Sequence, residues 1–195
     1  MSGGAGGAAP RLSPASRAEW RAWLAANHDG STGVWLVVRK KGSALPGVGY
    51  DEAVEEALCF GWIDSRVRRL DEDRFEQWYC PRRRGSIWSQ PNKERVERLR
   101  QAGLMAPPGL ARVETAKGDG SWELLDEIEA LVMPADLAAA LEAAGAARGF
   151  AGLPASMRKQ LLYWVATARR PQTRARRITA VAEAAAQGRA PLPPT

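Results

Sequence analysis

The chain has 195 residues, of which 45% are hydrophobic and 26% are charged. This composition is typical of a globular protein with a substantial core, and it excludes a disordered or fibrous chain. The net charge of +6 is unevenly distributed, since residues 158–195 hold eight basic residues and one acidic residue. Residues 1–157 hold 20 basic and 21 acidic residues, so a nearly neutral body carries a basic C-terminal end.

Four features of the chain bear on location and cofactors. No apolar run approaches the roughly 18 residues that span a bilayer. The Gly- and Ala-rich N-terminus lacks the basic and apolar regions of a secretory signal, which predicts a cytoplasmic protein. In that compartment Cys59 and Cys80 are expected to be buried thiols, although their spacing also allows a disulfide. His28 is the only histidine, so we expect no metal site and no cofactor.

The first 120 residues predict helices on a small antiparallel sheet. A capping box at residues 16–19 begins a helix that reaches about His28, where it ends in a C-cap. A buried strand follows at 34–39, and a short helix at 51–58. Strands at 62–70 and 74–80 form a hairpin. A basic loop at 81–85 leads to a helix that begins near Pro91 and ends at Gly103, and a shorter helix covers 110–116.

The pattern becomes wholly helical after the break at residues 118–121. Helices are predicted within 122–131 and 134–144, after Pro154, and from Pro171 onward. The predicted fold class is therefore α+β, with an α+β domain at 15–120 and an all-helical module at 121–189. Residues 1–14 are predicted to be a flexible tail, and residues 190–195 a frayed one.

Two blocks of the sequence resemble the YdeI/OmpD-associated family, also called bacteriocin-protection proteins. The first runs through residues 50–64 and continues in Pro81-Arg82, in residues 86–89 and in Asn92, and the second covers residues 164–178. The resemblance extends over about residues 15–190. It implies a binding or interaction protein that acts in resistance to bacteriocins, antimicrobial peptides or envelope stress. It also implies a periplasmic location, which the N-terminus does not favour, and it supplies no catalytic residues.

The middle of the chain holds a candidate site for an anionic small molecule, used by a binding protein or an enzyme. Arginine forks grip oxyanions, and a helix N-terminus offers free N–H groups. The simpler alternative is structural: Ser89 caps a helix, Asp64 pairs with an arginine of the 82–84 loop, and the tryptophans are core. The candidate residues are Trp62, Asp64, Trp78, Arg82, Ser86, Trp88, Ser89 and Asn92.

A second candidate lies in the basic C-terminal end, at Arg169, Arg170, Arg174 and Arg177. The last three share one helix face, which would attract nucleic acid or anionic lipid. No nucleic-acid motif accompanies them, so nucleic-acid binding is the weaker alternative. The structural alternative is that these arginines dock on the acidic residues between 123 and 129. An unknown protein or an anionic small molecule is therefore the expected partner.

Overall fold

A computed structural model describes residues 10–189 of the chain. These residues form two compact units that divide between Trp122 and Glu123. The first unit contains strands and helices, and the second contains helices, so the predicted α+β class is confirmed. The predicted frayed end at 190–195 lies outside the described residues.

The sheet of the first unit has four strands in the order β1-β2-β4-β3. They are β1 (Arg11–Leu12), β2 (Val34–Arg39), β3 (Trp62–Arg69) and β4 (Arg74–Pro81). The β2, β4 and β3 strands are antiparallel, as predicted, whereas β1 is parallel to β2 and makes the sheet mixed. The short β1 lies within residues 1–14, where the sequence analysis placed a tail.

Among the residues that the structure describes, the first unit has four helices: α1 (Arg17–Asn27), α2 (Tyr50–Cys59), α3 (Gln90–Gln101) and α4 (Pro107–Gly118). The capping box begins α1, since Ser16 Oγ accepts from the backbone N–H of Glu19. Alternate β2 side chains (Val34, Leu36 and Val38) join the helices in the core. The other β2 side chains therefore face the opposite side of the sheet.

The second unit consists, within the described residues, of five helices. They are α5 (Leu124–Glu129), α6 (Ala135–Ala143), α7 (Ala147–Ala151), α8 (Ala155–Ala166) and α9 (Pro171–Ala186). Their core gathers Leu137, Leu141, Phe150, Leu161 and Val165, with Val181 from α9. The helix α7 was not predicted, because five residues in an Ala-rich stretch carry no readable period.

Three further properties apply to residues 10–189. No helix there is both long and apolar enough to cross a membrane. No group of three His, Cys, Asp or Glu side chains in that range is placed to hold a metal ion. Both Cys59 and Cys80 are free thiols.

Candidate anion-binding site

Arg82 occupies the turn that leaves the sheet directly after β4. Its backbone N–H donates to the carbonyl of Gly61 (2.9 Å), which fixes the turn against the beginning of β3. Its side chain is only 2% exposed. The guanidinium carbon lies 3.6 Å from the centroid of the Trp88 ring, a close cation–π stack on a buried indole.

Most of the hydrogen-bonding capacity of this guanidinium is unused. Nη1 donates to the carbonyl of Ile87 (3.2 Å), whereas Nε and Nη2 are buried without any partner among the described residues. Burial lowers the pKa of Arg82 to about 10, although the charge of Asp64 acts in the opposite direction. A depression of this size corresponds to on the order of 3 kcal/mol against the charged form. Burial of the Arg82 charge is therefore unfavourable unless another group accepts hydrogen bonds from Nε and Nη2.

Two recesses share Arg82 as a lining residue. The inner one is a cavity of about 10 Å³ between the loop at 82–86 and α4, which is room for roughly one water molecule. The outer one is an open groove of about 460 Å³ that also includes Ser31, Thr32 and Cys80. Four arginines line both recesses: Arg82, Arg83, Arg84 and Arg112.

Acidic compensation around these arginines is slight. Arg84 Nε lies 3.7 Å from Asp119 Oδ2, and its side chain is 84% exposed. Asp119 also accepts from the backbone N–H groups of Gly85 and Ser121, both at 3.1 Å. Neither Arg83 nor Arg112 forms an ion pair within residues 10–189. The recesses therefore present an excess of positive charge, which attracts anions.

The loop itself is ordered by Ser86. Its hydroxyl accepts from the backbone N–H of Arg83 (3.0 Å), and its own backbone N–H donates to the carbonyl of Arg83 (3.0 Å). Between them Gly85 adopts φ +70, in the left-handed region that favours glycine. Ser86 thus shapes the loop and also lines the inner cavity.

Asp64 does not pair with an arginine of the 82–84 loop. Asp64 Oδ2 accepts from Gln77 Nε2 (2.6 Å) and from the hydroxyl of Tyr50 (3.3 Å). Asp64 is in register with Tyr79, so its side chain lies on the same face of the sheet as that buried tyrosine. Burial raises the pKa of Tyr79, and the Asp64 and Tyr50 charges add to the shift.

The remaining candidates lie apart from the lining of the two recesses. Trp62 Nε1 donates to the carbonyl of His28 (3.1 Å) within the core. Trp78 packs on Trp35 across the opposite face of the sheet, with ring centroids 5.4 Å apart. Of the three candidate tryptophans, only Trp88 lines either of these two recesses.

The N-terminus of α3 also differs from both roles predicted for it, an anion site and a helix end capped by the Ser89 side chain. Ser89 is the N-cap residue of α3, but its side chain makes no capping hydrogen bond. Asn92 Oδ1 accepts from Arg95 Nη1 (3.2 Å), and Arg95 pairs with Asp51 at 2.8 Å. The structure thus brings Arg82, Ser86 and Trp88 together and adds Arg112 and Thr32, which no local sequence pattern identified.

The C-terminal arginines divide into two pairs. Arg174 binds Asp136 (2.7 and 2.9 Å) and also donates to the carbonyl of Val165. Arg177 Nη1 donates to the carbonyl of Trp164 (2.5 Å) and lies over that indole, 5.2 Å from its centroid. These carbonyls belong to the last turn of α8, so both side chains satisfy a helix C-terminus. Arg169 and Arg170 are exposed.

The fold and the site define an α+β protein with a basic recess and a separate helical module. Residues 12–112, just over half of the chain, match the model of a domain of unknown function, DUF8412, and the chain belongs to that family. Residues 130–188 match the family described as "Bacteriocin-protection, YdeI or OmpD-Associated", which confirms the resemblance for the helical module. No curated protein and no solved structure matches the chain.

Proposed function

We propose that the N-terminal unit is a binding module for a ligand with an oxyanion group, and that Arg82 holds this group. One observation carries the proposal: Arg82 is 2% exposed, yet its Nε and Nη2 donors have no partner among the described residues. These two N–H groups form one edge of the guanidinium fork. That edge binds two oxygens of a phosphate or carboxylate through parallel hydrogen bonds.

A purely structural role explains the burial of Arg82 less well. A buried charge that lacks a partner lowers stability, whereas an apolar side chain of similar size would pack on Trp88 without that cost. A bound anion supplies both the opposite charge and the two missing acceptors. The open groove of about 460 Å³, which Arg82 also lines, has space for such a group.

Binding is favoured over catalysis by the side chains that line the recesses. A nucleophile needs a neighbouring base or a lowered pKa. Burial instead raises the pKa of the Cys80 thiol, the one thiol among the described lining residues. Asp119, the one acidic lining residue described there, already accepts two backbone hydrogen bonds.

The family match gives this binding a context. Because the helical module matches the bacteriocin-protection family, we propose that oxyanion binding serves resistance to bacteriocins, antimicrobial peptides or envelope stress. The proposed location is the cytoplasm, which the two free cysteines support. Nucleic-acid binding by the C-terminal helices is less favoured, since Arg174 and Arg177 are engaged within their own unit.

The test is titration of the full-length protein with inorganic phosphate and with sulfate, by calorimetry and thermal unfolding. We expect saturable binding and a midpoint that rises by several degrees as the anion reaches a large excess over Kd. Arg82→Met should abolish both effects. Arg82→Lys keeps the charge but loses the planar fork, so it should bind about tenfold more weakly or worse.

Arg66→Lys is the matched control, since Arg66 also lies over indoles, 5.5 Å from Trp35 and 5.3 Å from Trp78, but is exposed. It should bind phosphate as the parent protein does. Wild-type protein that binds neither anion would refute the proposal. So would an Arg82→Met variant that folds and binds phosphate with unchanged affinity.

A further inference from the structure

We infer that the ligand carries two phosphate groups, one held by Arg82 and the other in the outer groove between Arg83 and Arg112. The inference rests on the proposed function and specifies its ligand. It follows from the lining that the two recesses share. The inner cavity has room for only about one water molecule, so both groups are assigned to the open groove, which Arg82, Arg83 and Arg112 all line.

The charge of the lining favours more than one anionic group. Four guanidinium groups surround the recesses, and Asp119 is the one acidic side chain among the described lining residues. A ligand with a single negative charge would leave most of this excess uncompensated. Two phosphate groups match it, since arginines at a shared site bind phosphate oxygens by charge-assisted hydrogen bonds.

The second group is assigned to the exposed arginines of the groove. Arg83 and Arg112 approach from different parts of the chain, the loop after β4 and the helix α4. Neither forms an ion pair within residues 10–189, so both guanidinium groups are available to a ligand. Thr32 adds an exposed hydroxyl to the same wall.

The lining also limits the rest of the ligand. None of the described residues that line the outer groove is aromatic, and the indole of Trp88 is covered on one face by Arg82. A nucleobase would therefore find no aromatic stacking partner there. A compact diphosphate-bearing molecule fits the groove better than a polynucleotide does.

The experiment compares inorganic phosphate with pyrophosphate at matched ionic strength, by calorimetry on the full-length protein. In the parent protein we expect pyrophosphate to bind about tenfold tighter than phosphate or more. The double variant Arg83→Gln/Arg112→Gln should weaken pyrophosphate binding more than phosphate binding and bring the two Kd values to within about twofold of each other, because phosphate uses chiefly Arg82. Its matched control, Arg148→Gln/Arg176→Gln, removes two exposed arginines from the second unit and should keep the preference.

The outcomes separate the inference from the proposed function. Phosphate binding without a pyrophosphate preference would overturn the inference and leave the Arg82 site standing. A preference that persists in Arg83→Gln/Arg112→Gln would also overturn it, since the second group would lie elsewhere. If neither anion binds the parent protein, the proposed function fails together with the inference.

Discussion

Each unit of the protein places an arginine over a tryptophan, yet the two pairs are satisfied in opposite ways. Arg177 lies over Trp164 and donates to a carbonyl at the end of α8 and to Thr167 Oγ1. Arg82 stacks more closely on Trp88, but it uses one donor and buries two others without partners. Stacking on a tryptophan therefore does not by itself indicate the role of an arginine. The hydrogen-bond partners of its N–H groups do.

The difference follows from where each side chain originates. Arg177 extends from α9 toward the C-terminus of α8, where the carbonyl of Trp164 lies in the last turn and accepts from Arg177 and from the hydroxyl of Thr167. Arg82 follows the end of β4, which pairs with a strand on each side, and the acceptor that the structure shows for its side chain is the Ile87 carbonyl. The first environment offers carbonyl and hydroxyl acceptors to Arg177, whereas the second offers none to Nε and Nη2 of Arg82 among the described residues.

The largest expected effect concerns the frame that holds the Arg82 recess. Gly109 lies in α4, and a Cβ added there would stand 2.2 Å from the carbonyl oxygen of Cys59. Gly109→Ala should therefore lower the free energy of unfolding by about 3 kcal/mol. It should also weaken the preference for pyrophosphate over phosphate, because Arg112 lies one turn further along α4. Urea unfolding followed by tryptophan fluorescence measures the first effect.

Gly118 provides the control within the same helix, since nothing lies within 4 Å of an added Cβ. Gly118→Ala should leave the stability unchanged or raise it by up to about 1 kcal/mol through helix propensity. Equal losses from the two substitutions would show that α4 is not packed at Gly109 as the structure has it.

The second prediction tests the two arginine pairs directly, in buffer without phosphate or sulfate. Arg177→Met should lower the free energy of unfolding by about 1–2 kcal/mol, because it removes the hydrogen bonds to the Trp164 carbonyl and to Thr167 Oγ1. Arg82→Met should cause no loss, since the lost Ile87 hydrogen bond is offset by removal of a buried, unpaired charge. Chemical denaturation of both variants measures the two changes in the free energy of unfolding. If Arg82→Met lowers the free energy of unfolding more than Arg177→Met does, Arg82 has a structural role and the proposed difference between the two arginines is wrong.

Local patterns in the sequence predicted much of the fold. The helix α8 was identifiable because Met157, Leu161 and Val165 recur at helical spacing, and β2 because its residues are apolar and β-branched. The strand β1 was missed, since two residues carry no period. Its pairing depends on β2, which lies more than twenty residues further along the chain.

The sequence predicts only those residues of the candidate site that lie close together along the chain. Arg82, Ser86 and Trp88 lie within seven residues of one another, so one loop was enough to suggest them. Arg112 and Thr32 reach the same recess from α4 and from the segment before β2, and no spacing in the sequence encodes that approach. Asp64 was misassigned to an arginine because the pairing register that aligns it with Tyr79 is a tertiary feature.

Another arginine–tryptophan pair, on the face of the sheet opposite the core, gives a smaller effect. Arg68 lies 3.8 Å from the centroid of Trp35, which is 5% exposed under this cover. Arg68→Ala should cost about 0.5–1 kcal/mol and increase acrylamide quenching of the indole fluorescence. Arg69→Ala is the control, because its ion pair with Glu72 is largely exposed and contributes little. If quenching stays unchanged in Arg68→Ala, Arg68 does not shield Trp35 in solution.

The smallest expected effect depends on pH and concerns the ion pair of the second unit. The hydrogen bond from Arg174 holds the pKa of Asp136 below its ordinary value of 3.8. A lowered carboxyl pKa contributes stability above the unfolded-state value and loses it as the pH falls through the folded-state value. Because the Asp136 side chain is 48% exposed, Asp136→Asn should cost about 0.5 kcal/mol or less at pH 7.

That difference should shrink as the pH is lowered below 3.8, where the wild-type carboxylate becomes protonated and no longer pairs with Arg174. Unfolding curves at several pH values measure it. Glu129→Gln, which removes a more exposed ion pair with Lys159, serves as the control and should have a smaller effect at pH 7. An Asp136→Asn loss that is the same at pH 3 and pH 7 would mean that Asp136 acts through packing, not through its charge. In that case the Val165 carbonyl at the end of α8 would be the main acceptor for Arg174. Arg177 also has a carbonyl acceptor there, whereas Nε and Nη2 of Arg82 have none among the described residues.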